Sequence, residues 1–209
     1  RNLRTDALRE ILRHRGLAGI LELSVRGRAS WVIGALVASN VLSEQELHEL
    51  LRLALAPILA GKDEVHAHKN LIGGALRAMP DDYKRDATLK TVAASLPEEE
   101  TAQLLILAPF GKSTWKLVDT LGKAAQAKYW CEVIPGWLHE NDAENNEAVE
   151  RLLKAKRPRA AFSCVKYHPE KLDVQVLFRV LSEMAQGGND EPSQYMLEHY
   201  HVEKAFEHL

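Results

Sequence analysis

Apolar residues recur every three or four positions along nearly the whole chain, and short polar breaks separate the runs. This spacing places apolar side chains on one face of an α-helix, and no segment shows the strict alternation typical of a strand. Helices this short are marginal alone and gain stability by packing on their neighbours. The pattern predicts an all-α fold of about ten to thirteen helices. We expect stacked antiparallel helical hairpins, forming an α-α superhelix or an irregular helical-repeat bundle.

Particular residues mark several helix ends. Ser43, followed three positions later by Glu46, is a capping box ahead of a leucine-rich run. Pro97 followed by three glutamates predicts another helix start, because carboxylates favour the positive end of a helix. Gly16 and Gly27 each predict a helix end.

Two tryptophans follow residues with hydroxyl side chains that could cap a helix. Ser30 precedes Trp31, and Ser113 and Thr114 precede Trp115. We predict that these hydroxyls cap the helices that follow them. Burial of an indole ring removes ~150–250 Å² from water, so we expect both tryptophans to pack between helices.

The sequence suggests one main domain. We predict a helical-repeat domain over residues 1–186, a linker over 187–192, and the start of a further helix over 193–209. The linker rests on Gly187 to Asp190, a run of turn-forming residues. The chain opens at Arg1 instead of a methionine, and we expect it to be a fragment of a longer protein. The helix over 172–184 is the most apolar of all.

Two pairs of segments are similar within the chain. Gly34–Ala38 is similar to Gly74–Ala78, and Leu50–Ala54 is similar to Leu104–Ala108. The two offsets differ, so the sequence predicts no strictly periodic array.

The segment Glu150–Phe162 resembles the helix–turn–helix of tetratricopeptide-type repeats, in which a small residue and a turn separate two Leu/Ala-rich helices. The spacing between Gly34 and Gly74 resembles that of HEAT-type repeats. These resemblances imply an α-superhelix that binds peptides or proteins, and they assign no functional residue.

Composition and charge reduce the number of functional classes to which the chain could belong. The formal net charge is −2, whereas nucleic-acid-binding domains are usually strongly basic. Charged residues interrupt every apolar run well before the ~20 residues that would cross a bilayer, so we expect no membrane association. Cys131 and Cys164 lie far apart, as in proteins of a reducing compartment, and we predict a cytoplasmic protein.

Motifs that could carry chemistry are incomplete. Gly111-Lys112-Ser113 lacks the earlier glycine and strand of a phosphate-binding loop. His48 is followed at the second zinc-ligand position by Arg52, which cannot bind zinc. Cys164 and His168 stand four apart, but the cysteine lies in an apolar run. We therefore predict no catalytic residue, no metal and no cofactor.

The candidate partner-binding residues are Lys154, Lys156, Arg157, Arg159 and Trp137. The four cations form the densest basic stretch of the chain, although lysines at a helix C-terminus also complement its dipole. We predict a non-catalytic protein-interaction or regulatory scaffold segment of a larger cytoplasmic multidomain protein. The alternatives are a nucleic-acid-binding helical repeat and, with less support, an all-α enzyme.

Overall fold

A computed structural model describes residues 3–61, 64–79, 81–136, 142–186 and 199–209. Within these ranges the chain forms twelve α-helices and no strand, which confirms the predicted all-α fold. A 3-10 turn at Pro169–Lys171 precedes the eleventh helix. The helices are α1 (Leu3–Arg26), α2 (Ser30–Asn40), α3 (Glu44–Leu59), α4 (Val65–Arg77), α5 (Asp82–Ala93), α6 (Glu98–Leu107), α7 (Lys112–Val118), α8 (Lys123–Glu132), α9 (Asp142–Lys154), α10 (Pro158–Val165), α11 (Val174–Ala185) and α12 (His199–Phe206).

The chain divides into two compact units. Unit 1 is Arg1–Pro109 with α1 to α6, and unit 2 is Phe110–Leu209 with α7 to α12. The domain expected over residues 1–186 includes parts of both units, and its extent stays a prediction. The linker expected over 187–192 lies outside the described residues.

The predicted helix end at Gly27 and the predicted helix start at Ser43 are confirmed. At Gly16 the chain leaves the helical conformation, with φ 60° and ψ −160°, but α1 continues beyond this kink to Arg26. The N–H of Gly27 donates to the carbonyl of Leu23 at 2.8 Å just after α1 ends. Ser43 Oγ accepts from the N–H of Glu46 at 3.3 Å, and Ser43 N–H donates to Glu46 Oε2 at 2.8 Å.

The predicted hydroxyl caps before the two tryptophans are wrong. Ser30 is the first residue of α2, and its Oγ donates to the carbonyl of Ser24 at 2.8 Å. The short turn after α1 brings that carbonyl within reach, so the hydroxyl bonds back to the preceding helix. Helix α7 begins at Lys112 with Gly111 at the N-cap, so Ser113 and Thr114 both lie inside the helix.

The core of unit 1 contains an unusually close approach of α2 and α4. A Cβ added to Gly34 would overlap with the carbonyl oxygen of Leu71, and one added to Gly74 would overlap with that of Trp31. Each glycine therefore lets the other helix approach to backbone contact. The two contacts are equivalent. Gly34 and Gly74 lie forty residues apart in the sequence, and so do the residues that they contact in the opposite helix, Trp31 and Leu71.

Helices α2 and α4 run in the same direction. The hydroxyl of Ser39, near the end of α2, donates to the carbonyl of Ala78 at the end of α4. Helix α1 packs on α2, and α3 packs on α4. The similar segments Gly34–Ala38 and Gly74–Ala78 thus occupy equivalent places in two neighbouring helix pairs. This arrangement identifies no particular repeat family, and the helical repeat expected from the sequence stays a prediction.

Unit 2 is built around a cluster of aromatic rings from the start of the unit, α7 and α8. The ring centroids of Phe110 and Trp115 lie 5.0 Å apart, those of Trp115 and Trp130 lie 5.9 Å apart, and those of Tyr129 and Trp130 lie 5.1 Å apart. Helices α9, α10 and α11 pack on one another, and α8 packs on α9. Within unit 2 the cluster fixes α7 and α8, while α9 and α11 position the surface described next.

Candidate functional site

The candidate site begins where α9 ends. Lys156 has φ 61°, the left-handed conformation, and it is the one non-glycine residue with positive φ in the described chain. Its N–H donates to the carbonyl of Leu153 at 2.8 Å, and Arg157 N–H donates to that of Leu152 at 3.0 Å. These bonds close a helix C-terminus in which glycine usually occupies the left-handed position.

A first groove lies between the end of α9 and α11. Its volume is about 440 Å³ and it opens widely to solvent. The predicted residues Lys154 and Lys156 both line it. The complete lining is Glu150, Arg151, Leu153, Lys154, Lys156, Arg179 and Glu183.

The two arginines of this groove are paired within unit 2. Arg151 contacts Asp119 at 2.6 and 2.9 Å and Glu147 at 2.7 Å. The hydrogen bonds that Arg151 donates to the carboxylate of Asp119 raise the pKa of Arg151 despite its partial burial. Arg179 forms an ion pair with Glu150.

Lys154 and Lys156 differ from these arginines. Both are exposed, and within the described ranges neither ammonium group has an ion pair or hydrogen bond. The free positive charge of the groove therefore belongs to these two lysines.

A second groove adjoins the first along α11. Its volume is about 620 Å³, and it shares Glu150 and Arg179 with the first groove. Phe178 is 61% exposed and Val174, one turn earlier on the same face, is 54% exposed. Its other lining residues are Gln175, Val176, Ser182 and Leu209.

We call the two adjoining grooves the α9–α11 groove. The basic part contains Lys154 and Lys156, and the apolar part contains Val174, Phe178 and Leu209. Single exposed apolar side chains are common on proteins, but a contiguous apolar surface with a charged rim is typical of interaction sites. The arrangement can bury apolar side chains of another molecule and offer two cations to its anionic groups.

Arg157 does not lie on this surface. It is buried, and one guanidinium nitrogen donates to the carbonyls of Trp130 at 2.9 Å and Val133 at 2.8 Å. These carbonyls lie at the end of α8, where the helix itself leaves acceptors unused. Arg159 is exposed on α10 and is not among the groove's lining residues, and Trp137 lies outside the described residues.

Sequence reasoning missed the apolar part of the groove. It identified the helix over 172–184 as the most apolar of the chain but named none of its residues as a candidate for partner binding. In the structure Leu177, Val180 and Leu181 are buried, whereas Val174 and Phe178 are exposed. One signal in the sequence could have revealed these exposed residues: the apolar positions of this helix cover a wider surface than the single buried stripe of a surface helix.

The buried thiol of Cys164 is not placed for nucleophilic chemistry. It lies 3.5 Å from the carbonyl of Ala160 in its own helix. Burial raises its pKa, which disfavours the reactive thiolate. The nearby His168 instead contacts the carboxylate of Glu170 at 2.9 Å.

The described residues contain neither a metal-binding cluster nor a membrane-spanning helix. No group of three or more His, Cys, Asp and Glu side chains in those ranges is arranged to hold a metal ion. No described helix combines the length and apolar character needed to cross a membrane. Comparison with known proteins finds no matching family model, no matching curated protein and no matching solved structure.

Proposed function

We propose that this chain is a non-catalytic protein-interaction or regulatory scaffold segment of a larger cytoplasmic protein, and that the α9–α11 groove is its docking site. The observation that supports the proposal is the exposed apolar face of α11 beside two lysines that form no ion pair with any described residue. Large apolar side chains with a polar rim provide most of the energy of protein–protein interfaces.

The arginines of α1 favour this proposal over nucleic-acid binding. Arg13 pairs with Glu10, and Arg15 pairs with Glu22. Arg9 pairs with Asp6 and donates to the carbonyl of Asn40 at 2.8 Å. A surface that contacts phosphates needs cations whose charge is not already balanced by neighbouring carboxylates. The arginine-rich start of the chain does not provide such a surface at these three positions.

Photo-crosslinking tests the proposal directly. A photoreactive phenylalanine analogue is placed at Phe178 in the 209-residue chain, which is then expressed in its source cells and irradiated. The matched control places the same analogue at Tyr83, an exposed aromatic residue on α5 of unit 1. We expect protein adducts from position 178 and none from position 83, with the adducts identified by mass spectrometry.

Two outcomes would contradict the proposal. Equal labelling from both positions, or none from position 178, would mean that the groove is not a specific docking site. A salt-dependent gel shift with RNA or DNA that is lost on Lys154→Glu would favour the nucleic-acid-binding alternative.

A further inference from the structure

We infer that the α9–α11 groove binds an acidic peptide segment of a partner protein, with carboxylates at Lys154 and Lys156 and a large apolar side chain against Phe178. This inference rests on the proposed function and specifies the chemistry of the partner. Three features of the groove support it, which are its unbalanced charge, the backbone conformation of one lysine, and the size and lining of its apolar part.

The charge of the groove is positive although the whole chain carries a net charge of −2. Arg151 and Arg179 are neutralised by carboxylates within unit 2. In the described chain two lysines of the lining lack an ion pair, and Glu183 is the single lining carboxylate without one. A partner that brings carboxylates to the lysine end of the groove therefore complements the remaining charge.

The conformation of Lys156 indicates that its side chain serves a purpose other than folding. A non-glycine residue in the left-handed conformation is strained, because its Cβ lies too close to the following carbonyl oxygen. Glycine would adopt that conformation without the strain and would still donate the same backbone hydrogen bond to Leu153. The chain instead places an ammonium group there, on the wall of the groove. Strained residues of this kind are concentrated at functional sites.

The apolar part of the groove is large enough for a bulky side chain. Its volume of about 620 Å³ lies within the range of ligand sites in proteins. Val174 and Phe178 lie on one side and Leu209 also lines the space, so an inserted leucine or aromatic ring gains contacts from several apolar neighbours. Glu150 and Arg179 connect this part to the lysines, so one short segment can occupy both.

Selection from a random peptide display library against the 209-residue chain tests the inference. We expect the bound peptides to be enriched in Asp or Glu together with Leu, Phe or Trp. Representative peptides are then synthesised with a fluorescent label, and their Kd values are measured by anisotropy at low and at high salt. Affinity should fall as salt rises, because screening weakens the contacts of carboxylates with the two lysines.

Three variants separate binding from folding. Lys156→Gly should weaken binding about threefold to tenfold while it leaves the urea midpoint unchanged or raises it, because it removes the ammonium group and the backbone strain together. Phe178→Ser should weaken binding at least about tenfold, since it removes the exposed apolar ring. Lys123→Ala, at an exposed lysine elsewhere in unit 2, is the control and should leave the Kd unchanged.

The inference is overturned if no peptide is enriched, if the enriched peptides carry no excess of carboxylates, or if Lys156→Gly binds as tightly as the parent chain. It is also overturned if sedimentation shows a dimer that Phe178→Ser dissociates, because a second copy would then occupy the groove. The crosslinking experiment distinguishes these failures from failure of the proposed function. A protein adduct at position 178 whose crosslinked segment is not acidic would overturn only the inference.

Discussion

In unit 1 two glycines allow two helices to come into backbone contact, whereas in unit 2 aromatic rings fill the space between helices. Gly34 and Gly74 allow α2 and α4 their close contact. Trp115 and Trp130 contribute to the core of unit 2, with Arg157 bonded to the end of α8. A close contact between helices at glycine is destabilised by a larger side chain, because the added atoms overlap with the opposite helix. A cluster of aromatic rings is destabilised by a smaller side chain, because the lost ring leaves a cavity. The two units should therefore be sensitive to opposite kinds of substitution.

The largest expected effect is the loss of a ring from unit 2. Trp115 is only 1% exposed, and Trp115→Ala should lower the free energy of unfolding by about 3–5 kcal/mol. Trp31→Ala in unit 1 is the matched control, because this indole is 42% exposed and its loss should cost about 1 kcal/mol. Urea unfolding measures both values, and hydrogen exchange shows which unit loses protection. Equal losses for the two tryptophans would contradict the comparison.

An added side chain at the glycine contact should have the next largest effect. Gly74→Val in unit 1 would place a Cβ in the carbonyl of Trp31 and should cost about 3 kcal/mol or more, with loss of exchange protection in α2 and α4. Gly111→Ala in unit 2 is the control, since its backbone is extended and the new Cβ would lie 3.6 Å from Glu144 Oε1. A change of similar size in both variants would show that the close contact is not specific to unit 1.

Two neighbouring arginines of unit 2 test whether the contribution of an arginine to stability depends on its burial or on its place in the basic stretch. Arg157→Ala should cost about 2–3 kcal/mol, because the buried carbonyls of Trp130 and Val133 lose a charged donor. Arg159→Ala should leave the urea midpoint nearly unchanged, because this side chain is exposed. If both variants unfold at the same urea concentration, the proposed structural role of Arg157 is wrong.

The smallest expected effect is a dependence on pH that originates in unit 1. Burial lowers the pKa of His68 below 6.5, although the nearby Glu64 partly opposes this. The unfolded chain then binds a proton more readily than the folded one below pH 6.5. Stability from this histidine is complete above pH 6.5 and is lost as pH falls towards the lowered pKa, by up to about 1.4 kcal/mol per pH unit.

Urea unfolding of the parent chain and of His68→Leu at pH 7 and pH 5 measures this contribution. The parent chain should lose more stability on acidification than the variant, and hydrogen exchange should place the difference in unit 1. Equal losses in the two chains would mean that His68 does not titrate as its burial implies.

Local signals in the sequence were sufficient to predict a helix cap where the interacting residues lie within one helical turn. The capping box of Ser43 and Glu46 joins residues three positions apart, and both of its hydrogen bonds are present. The predicted cap at Ser30 was wrong because its hydroxyl reached the carbonyl of Ser24 across a turn between helices. The competition between two acceptors depends on the path of the chain, which local pattern does not specify.

The candidate site was predicted only in part. Lys154 and Lys156 were identified from their charge, and both line the groove. Arg157 belongs to the same basic stretch but points into the protein, because the end of α8 offers it two carbonyls. Phe178 was absent from the predicted site, because the sequence does not tell which side of an apolar helix remains uncovered.

The amino-acid sequence by itself determined that this protein is a succession of short helices, since the spacing of apolar residues and the chemistry of capping act over a few positions. It also contained the similarity between Gly34–Ala38 and Gly74–Ala78. Only the tertiary structure decided that these segments contact one another, that Arg157 is buried, and that α9 and α11 form a groove. Burial and contact depend on residues distant in the chain. Helical periodicity shows which residues share a face of a helix, but it does not specify which other helix packs on that face.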